Sequence, residues 1–209
     1  MINPSFISVA GSDILISDIK VSGGNGWGDV SMQSMNPDGT WADTTYYYLT
    51  LDGMGVEDGW YRDAMGVEAI DNTDVLEFGH GMSLTSTDND LSITYSGAVK
   101  NGNPVVSWDA GVGFLGNPTP VVQYFSDITV SGGNGWGDVS CQKMNPDGSW
   151  ADTTYYYLTI DGMGVEDGWY RDSMGIDPVD ETDYLSPGEA TCLTSTDNDL
   201  TITFKKVLD

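Results

Sequence analysis

The decapeptide SGGNGWGDVS occurs at 22–31 and again at 131–140, and the residues around it are duplicated too. Setting 17–100 against 126–209 at a fixed offset of 109, without a gap, leaves 59 of 84 positions identical. Stretches so alike adopt one fold twice, so the 209 residues divide into two copies of about 100 residues, each long enough to bury its own core. Tandem copies favour multivalent binding or assembly over a single catalytic centre, because a second identical surface multiplies avidity. The repeat gives a first domain over 1–100, a linker or bridging strand over 101–125 and a second domain over 126–209.

Seven Lys and Arg stand against 32 Asp and Glu, a formal charge of −25. A phosphate backbone is bound mainly through Lys and Arg, so nucleic acid is excluded as a partner, and an anionic membrane surface with it. Aromatics make up 11% of the chain, which is not the composition of a disordered acidic tail. The charge reads as a solvated shell that leaves a basic partner or calcium open. The opening MINPSFISVAGSDILISD shows neither the basic n-region nor the apolar h-region of a signal peptide. No run approaches the roughly 18 apolar residues of a membrane span.

The local pattern is that of strands. In TWADTTYYYLTL at 40–51, Trp41, Asp43, Thr45, Tyr47 and Leu49 alternate with Ala42, Thr44, Tyr46, Tyr48 and Thr50, the period of two that puts successive side chains on opposite faces. ILISDIKV at 14–21, DVSMQSM at 29–35, VLEF at 75–78, LSITY at 91–95 and PVVSW at 104–108 read the same way. NPDG at 36–39 supplies a preset φ at Pro and an easy positive φ at Gly, so it joins two strands as a hairpin. LDGMGVEDGWY is a looped connection. The expected fold class is all-β, as two tandem homologous antiparallel β-sandwich domains. The second copy ends at LTITFKKVLD without an equivalent of PVVSW, which predicts an unpaired sheet edge near Val105 to Trp108 or, alternatively, a bridging strand there.

Catalysis finds no support. His80, the single histidine, has Glu189 as its counterpart, so a Ser-His-Asp or Cys-His arrangement could exist in one copy only, and FGHGM reads as an exposed turn. Cys141 and Cys192 replace Met32 and Ser83; neither lies in a CxxC, and a disulfide and two reduced thiols both remain open. Acids in STDNDL, namely Asp88, Asn89 and Asp90 with Asp197, Asn198 and Asp199, are hard oxygen ligands suited to calcium. The same residues favour a tight Asx turn. Asp71 with Asp74 and Asp180 with Asp183 form a second acidic cluster. No other cofactor is implied.

The recurring aromatics are the remaining candidates. Tyr46, Tyr48 and Trp60, with Tyr155, Tyr157 and Trp169, could stack on sugar rings or meet another protein, and Val105 and Trp108 could join an assembly contact; core packing is the competing reading. Arg62 and Arg171, the only arginines, are expected to pin their loop through Asp58 and Asp63, or Asp167 and Asp172.

The order GWGD, NPDGxWAxTTYYYL, DGWY, a Gly turn and LxSTDNDLxIT, followed by SGAV and NPTPV in the first copy, resembles the tandem β-modules of phage virion accessory proteins and bacterial surface proteins. The resemblance implies a structural or adhesive role and carries no catalytic residues. It points to a non-enzymatic virion decoration or fibre-type component acting through protein subunits, a homo-oligomer or a particle surface. A virion component leaves its host by lysis and needs no leader. The alternative is a secreted or surface carbohydrate-binding adhesin.

Overall fold

The computed structural model of the protein describes residues 5–8, 12–23, 29–50, 57–86, 91–95, 102–133, 135, 137–145, 147–159 and 165–205. These residues are all-β. The first copy contributes β1 (Ser5–Ser8), β2 (Ile14–Leu15), β3 (Lys20–Ser22), β4 (Val30–Met35), β5 (Trp41–Leu49), β6 (Gly59–Tyr61), β7 (Val75–Leu76), β8 (Gly81–Ser86) and β9 (Ser92–Thr94). There follow β10 (Val105–Trp108), β11 (Gly111–Gly116), β12 (Gln123–Tyr124), β13 (Thr129–Ser131), β14 (Val139–Met144), β15 (Trp150–Leu158), β16 (Gly168–Tyr170), β17 (Tyr184–Leu185), β18 (Ala190–Ser195) and β19 (Leu200–Thr203). Single 3-10 turns cover Ile16–Asp18 and Phe125–Asp127.

The duplication in sequence is a duplication in topology. One five-stranded antiparallel sheet runs β1-β8-β4-β5-β6 and the other β11-β18-β14-β15-β16. The NPDG turn closes β4 onto β5 as expected: the Asn36 N–H reaches the Thr40 carbonyl at 2.7 Å, and Gly39 sits at φ +83°. Asp38 fastens it by accepting from the Thr40 N–H and hydroxyl at 2.9 and 2.6 Å. A register shift follows Gln33, and again Gln142. Their amides donate across it to the carbonyls of Ala42 and Ala151 at 2.7 and 2.6 Å.

The alternation of β4 decides where the core lies. Val30 and Met32 point inward with Leu84 and Trp60, and the small sheets β2-β7 and β3-β9 supply Ile14, Leu76 and Val21 against them. The second copy repeats this with Val139, Cys141, Leu193 and Trp169 against Leu185, Val130 and Ile202. Each such side chain taken out of water contributes about 1.5–3 kcal/mol. Cys141 and Cys192 are both free. Cys141 lies opposite Leu193 and Cys192 opposite Gln142, so they occupy adjacent strands but opposite faces, Cys141 in the core and Cys192 beside Phe114. Burial pushes both thiols up, Cys192 to about 11.

Three sequence expectations change. Gly59–Tyr61, read as loop, is the edge strand β6. Residues 101–125 are more than a linker, because β11 pairs with β18 as β1 pairs with β8: Gly113 faces Leu193 and Ser5 faces Leu84. The offset is 108 here, where the rest of the repeat keeps 109, and that single-residue difference hides the match. Among the described residues, the edge without a partner strand belongs to the first copy. β10 pairs with β19, which pairs on its far side with β13, whereas in the first copy β9 pairs with β3.

β11 also meets the first copy. Val112 N–H donates to Pro37 O at 2.8 Å and Gly116 N–H to Gly79 O at 2.9 Å. Phe114 is buried with Met35, Met144 and Ala190, its ring 5.8 Å from that of Trp41. Val106 fills a notch that only glycine leaves: a Cβ at Gly79 would lie 2.1 Å from its Cγ2. At Gly188, which has nearly the same positive φ, an added Cβ meets only the Tyr95 hydroxyl, at 3.1 Å. Gly79→Ala is therefore expected to lower the melting temperature by several degrees more than Gly188→Ala, an overpacking cost of about 1–3 kcal/mol; equal shifts in paired thermal melts would deny the notch.

Candidate functional site

Between β6 and β7, and between β16 and β17, each copy carries a loop held at two levels. At its base the Arg62 guanidinium forks onto Asp74, Nε to Oδ1 at 3.1 Å and Nη2 to Oδ2 at 2.7 Å, and Nη2 also reaches Asp71 at 3.1 Å. Arg171 does the same with Asp183 at 3.3 and 2.6 Å and with Asp180 at 2.8 Å. Asp74 and Asp183 are each only 5% exposed, and a buried carboxylate needs such a partner. Each also accepts from a tyrosine, Tyr46 at 3.0 Å and Tyr155 at 2.9 Å. The arginines thus turn to the acids later in the loop, where Asp58 and Asp63, or Asp167 and Asp172, were expected. The clusters Asp71 with Asp74 and Asp180 with Asp183 are guanidinium sites.

At the tip, Asp63 accepts backbone N–H groups from Met65 at 2.7 Å, Val67 at 3.0 Å and Glu68 at 2.5 Å. Asp172 repeats this with Met174 at 2.7 Å, Ile176 at 3.0 Å and Asp177 at 2.6 Å. These bonds hold both carboxyls below the ordinary range, the Glu68 and Asp177 N–H groups acting most. Thr73, and after it Arg62, holds Asp71 down to about 2. The loop so fixed points apolar side chains at water: Met65 and Val67 are 62% and 84% exposed, Met174 and Ile176 58% and 79%. Sequence reasoning missed these four residues. The signal was an apolar residue on each side of a turn glycine, Gly66 or Gly175, in both copies.

The aromatic candidates turn inward. Trp60 and Trp169 are buried, their indoles donating to the Ile19 and Ile128 carbonyls at 2.8 and 2.9 Å. Tyr48 and Tyr157 stand edge-on to them at 5.2 and 5.3 Å, and Tyr155 stacks on Phe125 at 4.3 Å. Tyr46 and Tyr48 are half-buried. None of these rings forms an open platform, because the even-numbered tyrosines of β5 and the odd-numbered ones of β15 share the core face. Val105 is half exposed while Trp108 is buried. Among the described residues the exposed indoles are Trp41 and Trp150, each just past its NPDG turn.

His80 departs most from expectation. It stacks on Trp108 with ring centroids 4.9 Å apart and 7° between planes, and both rings line a cleft of about 460 Å³ between the copies. Ser34, Tyr46, Glu77 and Met82 line the cleft from the first copy, Asp109 and Phe114 from the far side. In the second copy the equivalents of Ser34, Val75 and His80 close up: Lys143 pairs with Glu189 at 2.9 Å and lies 5.3 Å over the Tyr184 ring.

Of the proposed calcium ligands, Asp88, Asn89 and Asp90 lie outside the described residues. Their counterparts form a turn gathered on buried Asp138, which accepts from the Thr196 and Asp197 N–H groups at 3.1 and 3.2 Å and from the Asn198 amide at 3.0 Å. Asp199 accepts from the Ala110 N–H at 2.9 Å.

No protein-family model, curated protein or solved structure matches the chain.

Burial, and then the bond to Asp74, raises the Tyr46 hydroxyl to about 12, and Tyr155 moves in the same direction. Ionised tyrosine is disfavoured in the fold relative to the unfolded chain, where its pKa is about 10. This contribution is therefore whole below pH 10 and is lost as pH rises from about 10 towards 12. Melting temperature is expected to fall over about pH 10–12, and more shallowly in the Tyr46→Phe, Tyr155→Phe double variant; identical slopes would deny the linkage. Because Asp138, on which the 195–200 turn is gathered, and Asp199 already accept from the chain's own N–H groups, excess EDTA is expected to leave the melting temperature unchanged, whereas a drop of many degrees would establish structural calcium.

Proposed function

We propose that the chain is a non-enzymatic structural protein of a larger assembly, of the virion decoration or fibre type, built as two tandem β-sandwich units that present the same docking element twice. The observation that carries this reading is the pair of apolar loop tips, Met65 with Val67 and Met174 with Ile176. A chain gains nothing in stability by holding such side chains in water with three N–H bonds to one carboxylate. Preformed contacts of this kind are what a docking partner needs, since little loop entropy is lost on binding. Each tip side chain that a partner buries contributes about 1.5–3 kcal/mol, and two tips on one chain raise avidity by roughly 10²–10⁴ where both engage. The acidic shell keeps the subunit soluble before assembly and directs it to protein surfaces rather than to anionic membranes or nucleic acid.

Light scattering behind a sizing column tests the proposal. The native chain is expected to run as an oligomer well above the 22.5 kDa of one chain, and the Met65→Ser, Val67→Ser, Met174→Ser, Ile176→Ser variant at 22.5 kDa. A mass untouched by those four substitutions would refute the tips. The second reading, a carbohydrate-binding adhesin, is favoured by the junction cleft, whose mixed aromatic and carboxylate walls suit a neutral sugar. A native chain that is monomeric and gives a glycan-array signal abolished by His80→Ala would favour it.

A further inference from the structure

The strands β9 and β19 have nearly the same sequence, LSIT at 91–94 and LTIT at 200–203, but different neighbours. β19 lies between β13 and β10. β9 pairs with β3, and among the described residues no strand runs along its other edge. The difference shows in the side chains: Leu200, Ile202 and Phe204 are buried, whereas Leu91, Ile93 and Tyr95 are half-buried. What covers the second copy is β10. Its Val106 faces Ile202 and its Trp108 faces Leu200, both buried, while Val105 and Ser107 alternate outward. Main-chain pairing continues one step further, from the Phe204 N–H to the Pro104 carbonyl at 2.9 Å.

We infer that the outer edge of β9 receives one extended strand from another polypeptide, antiparallel to Ser92–Thr94, with apolar residues at alternate positions facing Leu91 and Ile93. The sister edge shows the occupant's chemistry. Two receptor strands that differ at one position in four, Ser92 against Thr201, select the same kind of strand, and β10 is the strand the second takes. Backbone bonds along an open edge supply affinity, and the alternate side chains supply register and specificity. The chain's charge of −25 favours a strand flanked by Lys or Arg. The occupant is not a second copy's Val105–Trp108, because releasing that strand would strip the second copy's own β19. The edge is also separate from the loop tips, which follow β6, so either can fail alone.

Amide hydrogen exchange on the full chain tests the inference, with the synthetic peptide NPVVSWDA, residues 103–110, as the probe. Saturating peptide is expected to slow exchange at Ser92–Thr94 by roughly tenfold or more, as for edge amides newly paired, and to leave Thr201–Thr203 unchanged. A peptide carrying Val106→Asp and Trp108→Asp is expected to have no effect, and since the protein is unaltered no folding defect can mimic that loss. No slowing at Ser92–Thr94 overturns the inference, and so does an effect at β19, which would mean exchange with β10. Protection of Ser92–Thr94 that rises with protein concentration and without peptide would make a second copy the occupant, and would overturn it as well.

Discussion

The contact on which the rest of each copy depends is the fork of its only arginine onto a buried aspartate, Arg62 on Asp74 and Arg171 on Asp183. A carboxylate so nearly excluded from water is costly unless a cation and further donors meet it. Here guanidinium and tyrosine hydroxyl do so together. Through Tyr46 and Tyr155 the aspartate is tied to the long strand, and through Asp71 and Asp180 the arginine is tied to the start of the next turn. The loop therefore leaves the sheet in one direction only, and the tip cradle of Asp63 or Asp172 completes what the base begins. Polar groups fix the backbone and leave the apolar side chains with nothing of their own to cover.

Much of the fold was legible because its signals are local. The repeat announced two copies of one topology, NPDG announced the hairpins, and the period of two in the tyrosine strands announced their faces. What escaped depended on partners distant in sequence. Trp60 could be assigned to the core only by knowing that the Ile19 carbonyl waits for its indole. The strand GVGFLG at 111–116 carries three glycines and was invisible as a strand until β18 supplied the other half of its ladder. His80 looked like a turn residue because the ring it stacks on, Trp108, comes from the strand after its own copy. The acids were misassigned for a related reason: Arg62 has Asp58 and Asp63 near it in sequence, but the fold brings it to Asp71 and Asp74.

The two copies differ most over 64–72, 75–83 and 95–100, and the middle stretch lies where they meet. Over 75–83, seven of nine positions differ from 184–192, and this is the stretch that lies against β10 and β11. His80 replaces Glu189, Gly81 replaces Ala190 and Met82 replaces Thr191, each on the junction or the strand beside it. An internal repeat can therefore be read like a pair of relatives. Where the same fold keeps its residues they serve the unit, and the changes over 75–83 follow the contact between units.

The placement of β10 has a consequence for how such a chain could be lengthened. Val105–Trp108 stands ahead of the sheet it edges and inserts Val106 into the glycine notch of the copy before it. The mechanical module is therefore not the module of sequence identity but one shifted upstream, opening at the strand that seals it and closing after β19. A longer array would be spliced ahead of Val105, so that every added module brings its own seal and its own key to the preceding notch. A splice at residue 126 would instead divide a sheet from the strands that complete it.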